Sequence, residues 1–321
     1  MLGFGRAVKR SARGLKQKLS GASPSKAVED RPELASALRK IAAPELFPPS
    51  QRTCYRNWVG LETDARFFVN SRELVGSIRA ELPSAADGDG VYGGFAEYLS
   101  MAIAICSARG SITVVELGAG WGPWISAAGL ICRRLGFTNI NLTGVEADPQ
   151  KLLLMKEHFR RNGLAGGNGL EIRMMNAAAW SRDEELHFPE IADVDWGGAA
   201  ALSGGLEYRG HELPTRKIPG LSIETICAPL GSVDYMHWDI QGAEREVATS
   251  SIAFLNENVR HIFIGTHSRS IEGELLELFF ANGWDIVHER PGGFRFDRSL
   301  PTLRAMSLGD GDLFVTNPRL T

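Results

Sequence analysis

Residues 112–124, ITVVELGAGWGPW, join a β-branched apolar run to Glu116 and to glycines at 118, 120 and 122. A strand that breaks into a glycine-rich turn and restarts as a helix at Pro123 brings bare backbone N–H groups beside a ligand, the arrangement of a nucleotide pocket. The acid inside the turn would repel a pyrophosphate and attract a cationic cofactor, of which S-adenosylmethionine is the natural candidate. The spacing G-x-G-x-G also misses the dinucleotide pattern G-x-G-x-x-G, because Pro123 and Trp124 stand where the third glycine belongs. Gly118, Ala119, Gly120 and Trp121 are therefore expected around the cofactor, with Glu116 supplying the charge.

Further chemistry-bearing residues follow at the ends of apolar runs. Glu146 and Ala147 close NLTGVEA, and the two oxygens of Glu146 suit a pair of ribose hydroxyls. Asn176 and Ala177 follow LEIRMM and are expected against adenine, although an Asn ending a strand is also a common turn residue. His237 and Asp239 share one face of VDYMHWDI by strand alternation, and HIFIGTHS delivers His267. A histidine beside an aspartate could deprotonate a hydroxyl or hold a divalent metal, with Asp239 and His267 as the ligands in that case. The metal-free alternative is favoured, with His267 or His237 as base and Asp239 orienting, so that the rate rises through a pKa near 6.5. Glu244 reads as a helix cap.

These residues need a scaffold that gathers strand ends. From residue 112 the pattern alternates strand and helix, the signature of an α/β fold with a parallel sheet, and ligands of such sheets sit outside the carboxyl ends of the strands. Asp148-Pro149 starts the second helix as N-cap and first turn, fixing Glu146 at a strand end. Residues 181–221 break the rhythm with paired glycines and scattered prolines, and are expected to form an insertion, a β-hairpin serving the substrate. Upstream, residues 65–82 and 94–108 show helical apolar spacing. The chain thus divides into a basic arm and linker (1–50), a helical cap (51–109) and a cofactor-binding domain (110–321).

VVELGAGWG, GVEADP, Asn176-Ala177, D-x-x-G-x-E over 239–244 and the strand carrying Thr266-His267 together resemble the FkbM family of S-adenosylmethionine-dependent methyltransferases. The resemblance covers residues 110–317, with Tyr92-Gly-Gly-Phe-Ala-Glu-Tyr also familial. It implies a class I methyltransferase fold, Rossmann-like, whose last strand DLFVTN runs antiparallel, and O-methylation of a hydroxyl on a sugar, glycan or natural product. The family commonly has Lys and Glu where this chain has His237 and Gln241, and losing that acid argues against a carboxylate-rich metal site. A nicotinamide-dependent dehydrogenase and a catalytically silent, cofactor-binding or membrane-docked scaffold are the alternatives.

Composition sets the surroundings. The chain has 321 residues and 44% hydrophobic content, enough for one large core with an extension. Four separated cysteines without a C-x-x-C pair suggest buried thiols in a reducing compartment. Residues 1–28 carry seven basic side chains and no acid, leaving 28 basic against 38 acidic side chains elsewhere. The body is therefore expected to bind no nucleic acid. The arm places Phe4, Val8, Leu15 and Leu19 at helical spacing opposite a cationic face, which suits peripheral contact with anionic membrane, a mitochondrial transit segment or a solvated helix. A cytoplasmic protein, peripheral at the inner membrane face if the arm docks, is the expectation.

Overall fold

A computed structural model describes residues 32–68, 71–81, 93–192, 195–202, 205–206, 212–300 and 302–321. The basic arm and its membrane reading lie outside these residues, as does Tyr92. Among the described residues no helix is long and apolar enough to cross a membrane.

The alternating pattern builds seven strands, β1 (Ser111–Leu117), β2 (Asn139–Glu146), β3 (Leu170–Asn176), β4 (Val233–Trp238), β5 (Val259–Thr266), β6 (Asp285–Arg290) and β7 (Gly311–Thr316). They form one sheet in the order β6-β7-β5-β4-β1-β2-β3. All neighbours are parallel except β7, which is antiparallel to both β5 and β6. This is the α/β, Rossmann-like arrangement of a class I methyltransferase, with the antiparallel last strand in its expected place. Side-chain alternation divides the core: Ile112, Val114, Tyr235 and Phe263 pack on one face, and Val115, Leu117, Met236, Trp238 and Ile264 on the other.

The first face is covered by α1 (Pro32–Ile41), α2 (Phe95–Ser107), α3 (Pro123–Arg134) and α4 (Pro149–Arg161), the second by α5 (Glu244–Asn258) and α6 (Arg269–Ala281). The chain crosses the sheet at the β1/β4 boundary, where the order reverses, so the carboxyl ends of β1 and β4 open the crevice.

The described residues of 65–82 do not form the expected helix. Two 3₁₀ turns (Ala65–Phe67, Ser71–Glu73) give way at Gly76, with φ +72°, to the strand Ile78–Arg79. That strand pairs in parallel with Cys54–Asn57, itself antiparallel to Glu62–Asp64. Sheet pairing thus overrides a helical spacing that a left-handed glycine cannot extend. This small sheet is fastened to α4, where Asn162 Oδ1 accepts from Glu62 N at 2.8 Å and Arg161 meets Asp64 at 3.2 Å. His158 sits fully buried between the Thr63 hydroxyl (3.2 Å) and the Ser126 hydroxyl (3.1 Å).

Burial, helped by the Arg161 charge, pushes the His158 pKa down to about 3, so the folded protein holds it neutral. The unfolded chain takes up this proton below about pH 6.5, so stability is complete above that pH and declines as pH falls toward 3. Replacing His158 by Leu should strand two buried hydroxyls and cost on the order of 1–3 kcal/mol for each. Urea denaturation at pH 7 and at pH 5 should show the loss at neutral pH and a shallower acid decline in the variant.

Candidate active site

The glycine turn after β1 is compressed between strands. Gly118 has φ +70°, and a Cβ there would collide with the Asp239 carbonyl, so the β1 and β4 exits meet backbone to backbone. Gly120, at φ +53°, lies under the ring of Trp196, which a Cβ would approach to 3.3 Å. Glu116 turns beneath the loop and accepts from Ile125 N at 2.9 Å and Trp124 N at 3.4 Å, tying β1 to the first turn of α3.

Burial pushes the Glu116 carboxyl up to about 8, against the pull of these two amides. At neutral pH it is therefore largely uncharged. The expected electrostatic attraction from Glu116 is corrected accordingly: this residue is first a clamp on the start of α3.

Along the carboxyl edge of the sheet the remaining groups follow strand order. On β2, Glu146 accepts from Gly120 N at 2.6 Å and Asp148 N at 2.7 Å, which aims its carboxyl at the glycine turn and leaves further lone pairs for two hydroxyls. On the other side of β1, His237 and Asp239 close the crevice. A cavity of about 320 Å³ runs along this edge, lined by Glu116, Gly118, Ala119, Gly120, Trp121, Glu146, Ala147, Ala177, His237 and Asp239 among others.

Asn176 does not line it. Its amide donates to the carbonyls of Glu146 and Ala147, both at 2.9 Å, and holds the β2 exit in shape. The neighbouring Ala177, Ala178 and Ala179 form the wall instead.

The two histidines have opposite charge states. The His237 ring is stacked between Trp124 and Phe263, each 5.1 Å away, and its Nε2 lies 3.1 Å from Glu97 Oε1. Burial pushes its pKa down to about 3, so it is neutral and a weak base.

His267 is buried between carboxylates, with Nδ1 2.8 Å from Glu244 Oε1 and Nε2 3.2 Å from Asp239 Oδ1. Burial works against its charge, but Glu244 and Asp239 outweigh it and raise the pKa well above the usual value. His267 does not line the cavity, and its proton is not available to be lost near neutrality. It is no general base; it is the cation that keeps Asp239 charged. Burial likewise opposes the Asp239 charge, yet the His267 imidazolium and the Gln241 amide (2.8 Å) hold its carboxyl below the usual range. The imidazolium also fills the space between Asp239 and Glu244 that a shared divalent ion would need. Among the described residues no cluster of three His, Cys, Asp or Glu could hold a metal.

Several lining residues carried no functional reading in the sequence. Glu97 at the start of α2 had the spacing of a capping residue three positions after Gly94, and its side chain does accept from Gly94 N. Trp196 comes from the 181–221 insertion, which here contributes Phe188, Trp196, Gly198 and Ala200 to the roof of the cavity. Its indole Nε1 donates to the Phe67 carbonyl at 3.0 Å, and the Lys151 ammonium lies 4.8 Å from the ring. The insertion is a hairpin, Glu184–Pro189 antiparallel to Thr215–Leu221, as its turn residues suggested.

The fold is that of a class I methyltransferase. No family model matches the chain. A curated relative named "Putative methyltransferase", from Jannaschia sp. (strain CCS1), is 28% identical over 204 residues, spanning 61% of this chain and 70% of that protein.

Similar solved structures include precorrin-6y C5,15-methyltransferase from Geobacter metallireducens, with 7% identity, 70% and 88% coverage and a TM-score of 0.38. A putative RNA methyltransferase from Pyrococcus horikoshii gives 11% identity, 70% and 83% coverage and a TM-score of 0.37. Aeropyrum pernix fibrillarin, solved with natively bound S-adenosyl-L-methionine, gives 10% identity, 64% and 66% coverage and a TM-score of 0.34. The presence of RNA methyltransferases among these structures overturns the expectation that nucleic acid is excluded as a partner.

The charge states of the two histidines are directly observable. In ¹³C- or ¹⁵N-histidine NMR, His267 should titrate well above the ordinary imidazole range and His237 should remain neutral at pH 5. In Glu244→Gln the His267 pKa should fall, because the nearest of its carboxylate neighbours is gone.

Proposed function

We propose that this chain is an S-adenosylmethionine-dependent O-methyltransferase that acts on a hydroxyl of a sugar, glycan or natural product. The observation that carries this reading is the acidic lining of the cavity: Glu97, Glu146 and Asp239 line it beside the protonated Glu116, against Lys151 as the cationic side chain among the described lining residues. Such a wall favours a ligand bearing a sulfonium and an ammonium and disfavours a dinucleotide with its pyrophosphate. The relative from Jannaschia, with the order of FkbM-like motifs along residues 110–317, supports the same class, and His237 and Gln241 are this chain's departures from that family.

The residues fit the cofactor. Ala177, Ala178 and Ala179 would face adenine, Glu146 the ribose hydroxyls, and the turn 118–121 the amino-acid arm. When bound, S-adenosylmethionine supplies an electrophilic methyl group on a good leaving group, so the protein needs little base strength. Asp239, charged and half open to the cavity, can accept a hydrogen bond from the acceptor hydroxyl and align its oxygen for in-line attack. Asp239 or water would take the hydroxyl proton as the methyl group leaves sulfur for the acceptor oxygen. His267 and Gln241 fix the carboxylate for this task, and the Trp196 roof limits water.

Two measurements test the assignment. S-adenosylhomocysteine at about 100-fold excess over Kd should stabilise the native state by roughly 2.7 kcal/mol, while NAD leaves the melting temperature unchanged. Glu146→Ala should lose most of that shift. With labelled cofactor and a panel of hydroxylated glycans, natural products and RNA, turnover should survive chelation and show no inflection near pH 6.5, because neither histidine titrates there. Asp239→Asn should lower the rate by 10²-fold or more with homocysteine-product affinity retained. Labelling of RNA alone would overturn the assigned acceptor class.

A further inference from the structure

We infer that the connection between β6 and β7, residues 291–310, is a hairpin that docks on an anionic lipid bilayer. Pro291-Gly292-Gly293 ends β6, and Gly311 begins β7. Between them Gly293–Phe294 pairs antiparallel with Ser307–Gly309, and Arg295 N donates to the Met306 carbonyl at 3.2 Å. All of the connection except residue 301 is described.

Its base is anchored to the domain. Gly292 N donates to Glu272 Oε1 at 2.6 Å, and the Gly292 carbonyl accepts from Arg269 Nε at 3.2 Å, both partners lying on α6. The Arg304 guanidinium donates to the Gln241 carbonyl and fills the space beside Gly242, in the loop that follows Asp239. Docking through the hairpin would therefore bring this loop to the lipid surface.

Further out, apolar side chains face water. Phe294 and Leu300 are exposed, and Phe296, Leu303 and Leu308 are 63%, 69% and 62% exposed. These are five of the twelve exposed large hydrophobic side chains among the described residues, and their concentration in one hairpin marks an interaction surface where scattered ones would not.

Charge selects the occupant. Residues 291–310 hold Arg295, Arg298 and Arg304 against Asp297 and Asp310. Arg295 and Arg298 are exposed between the apolar side chains, whereas Asp297 turns back on Ser299, accepting from its N at 2.9 Å and its hydroxyl at 2.6 Å. Phenylalanine and leucine interleaved with arginine match an interface where acyl chains lie beneath anionic headgroups. A second copy fits less well, because pairing hairpin to hairpin would oppose the same arginines. The basic segment 1–28 and this hairpin stand out in a chain whose net charge is −3, so an anionic surface attracts these two parts and repels the acidic remainder.

The test reads the hairpin separately from residues 1–28. The full chain carries an environment-sensitive nitrobenzoxadiazole label at Leu303→Cys or, as control, at Leu153→Cys on α4, at the other end of the sheet. Cys54, Cys132 and Cys227 are buried and Cys106 is half-buried, so labelled parent protein sets the background. With phosphatidylcholine vesicles containing phosphatidylglycerol, the Leu303 position should shift to the blue and brighten, and the Leu153 position should not. High salt should reverse the response. Replacing Arg295 and Arg298 by Gln should weaken vesicle affinity about fivefold for each charge removed, with an unchanged melting temperature showing that the fold is intact. Absence of vesicle binding, or binding with no response at Leu303, would overturn the role of the hairpin. So would an equal response at Leu153, an equal response to pure phosphatidylcholine, or a response that grows with protein concentration in the absence of vesicles, the mark of self-association.

Discussion

The site depends on one buried contact, the Glu116 carboxyl against the first amides of α3. A carboxyl buried so deeply survives by accepting two N–H groups that the helix start would otherwise leave unpaired, and by keeping its proton. That contact sets the angle at which the chain leaves β1 and enters α3. The angle in turn presses the turn against the β4 exit, where Gly118 and the Asp239 carbonyl leave no room for a side chain. Every other group along the crevice is placed relative to this joint.

Environment, more than residue type, assigns the chemistry. His237 and His267 sit on adjacent strands near the same crevice, yet one is kept neutral by aromatic burial and the other charged by two carboxylates. The consequence passes to Asp239, whose charge state is set by the imidazolium behind it. Catalytic assignments drawn from residue identity alone would choose a histidine, whereas the electrostatics favour the aspartate proposed above.

The β/α alternation was legible in the sequence because strand and helix periods differ sharply, and caps such as Asp148-Pro149 mark boundaries locally. Glu146 and the glycine turn were legible for the same reason, since strand ends in this topology define the crevice. What stayed hidden depended on contacts between distant segments. Asn176 had the right position but its amide was claimed by two carbonyls, and residues 65–82 followed a helical spacing that pairing with Cys54–Asn57 overrode. Trp196 gave no local signal and Glu97 only that of a helix cap, because a roof and a wall are made by whatever the chain folds back to meet. The charge of His267 was equally hidden, being set by Glu244 and Asp239 across helix and strand.

The indole of Trp196 hydrogen-bonds the Phe67 carbonyl while its ring covers Gly120, so one residue joins the insertion, the N-terminal sheet and the glycine turn. A division at residue 110 therefore falls through the middle of a working part. Recombination that exchanged residues 110–321 as a cassette would carry the strand ends along but leave behind the carbonyl that steadies the roof. Drift in the N-terminal segment and drift in the insertion are consequently bound to each other, and lineages of this fold should inherit the two segments as a matched pair.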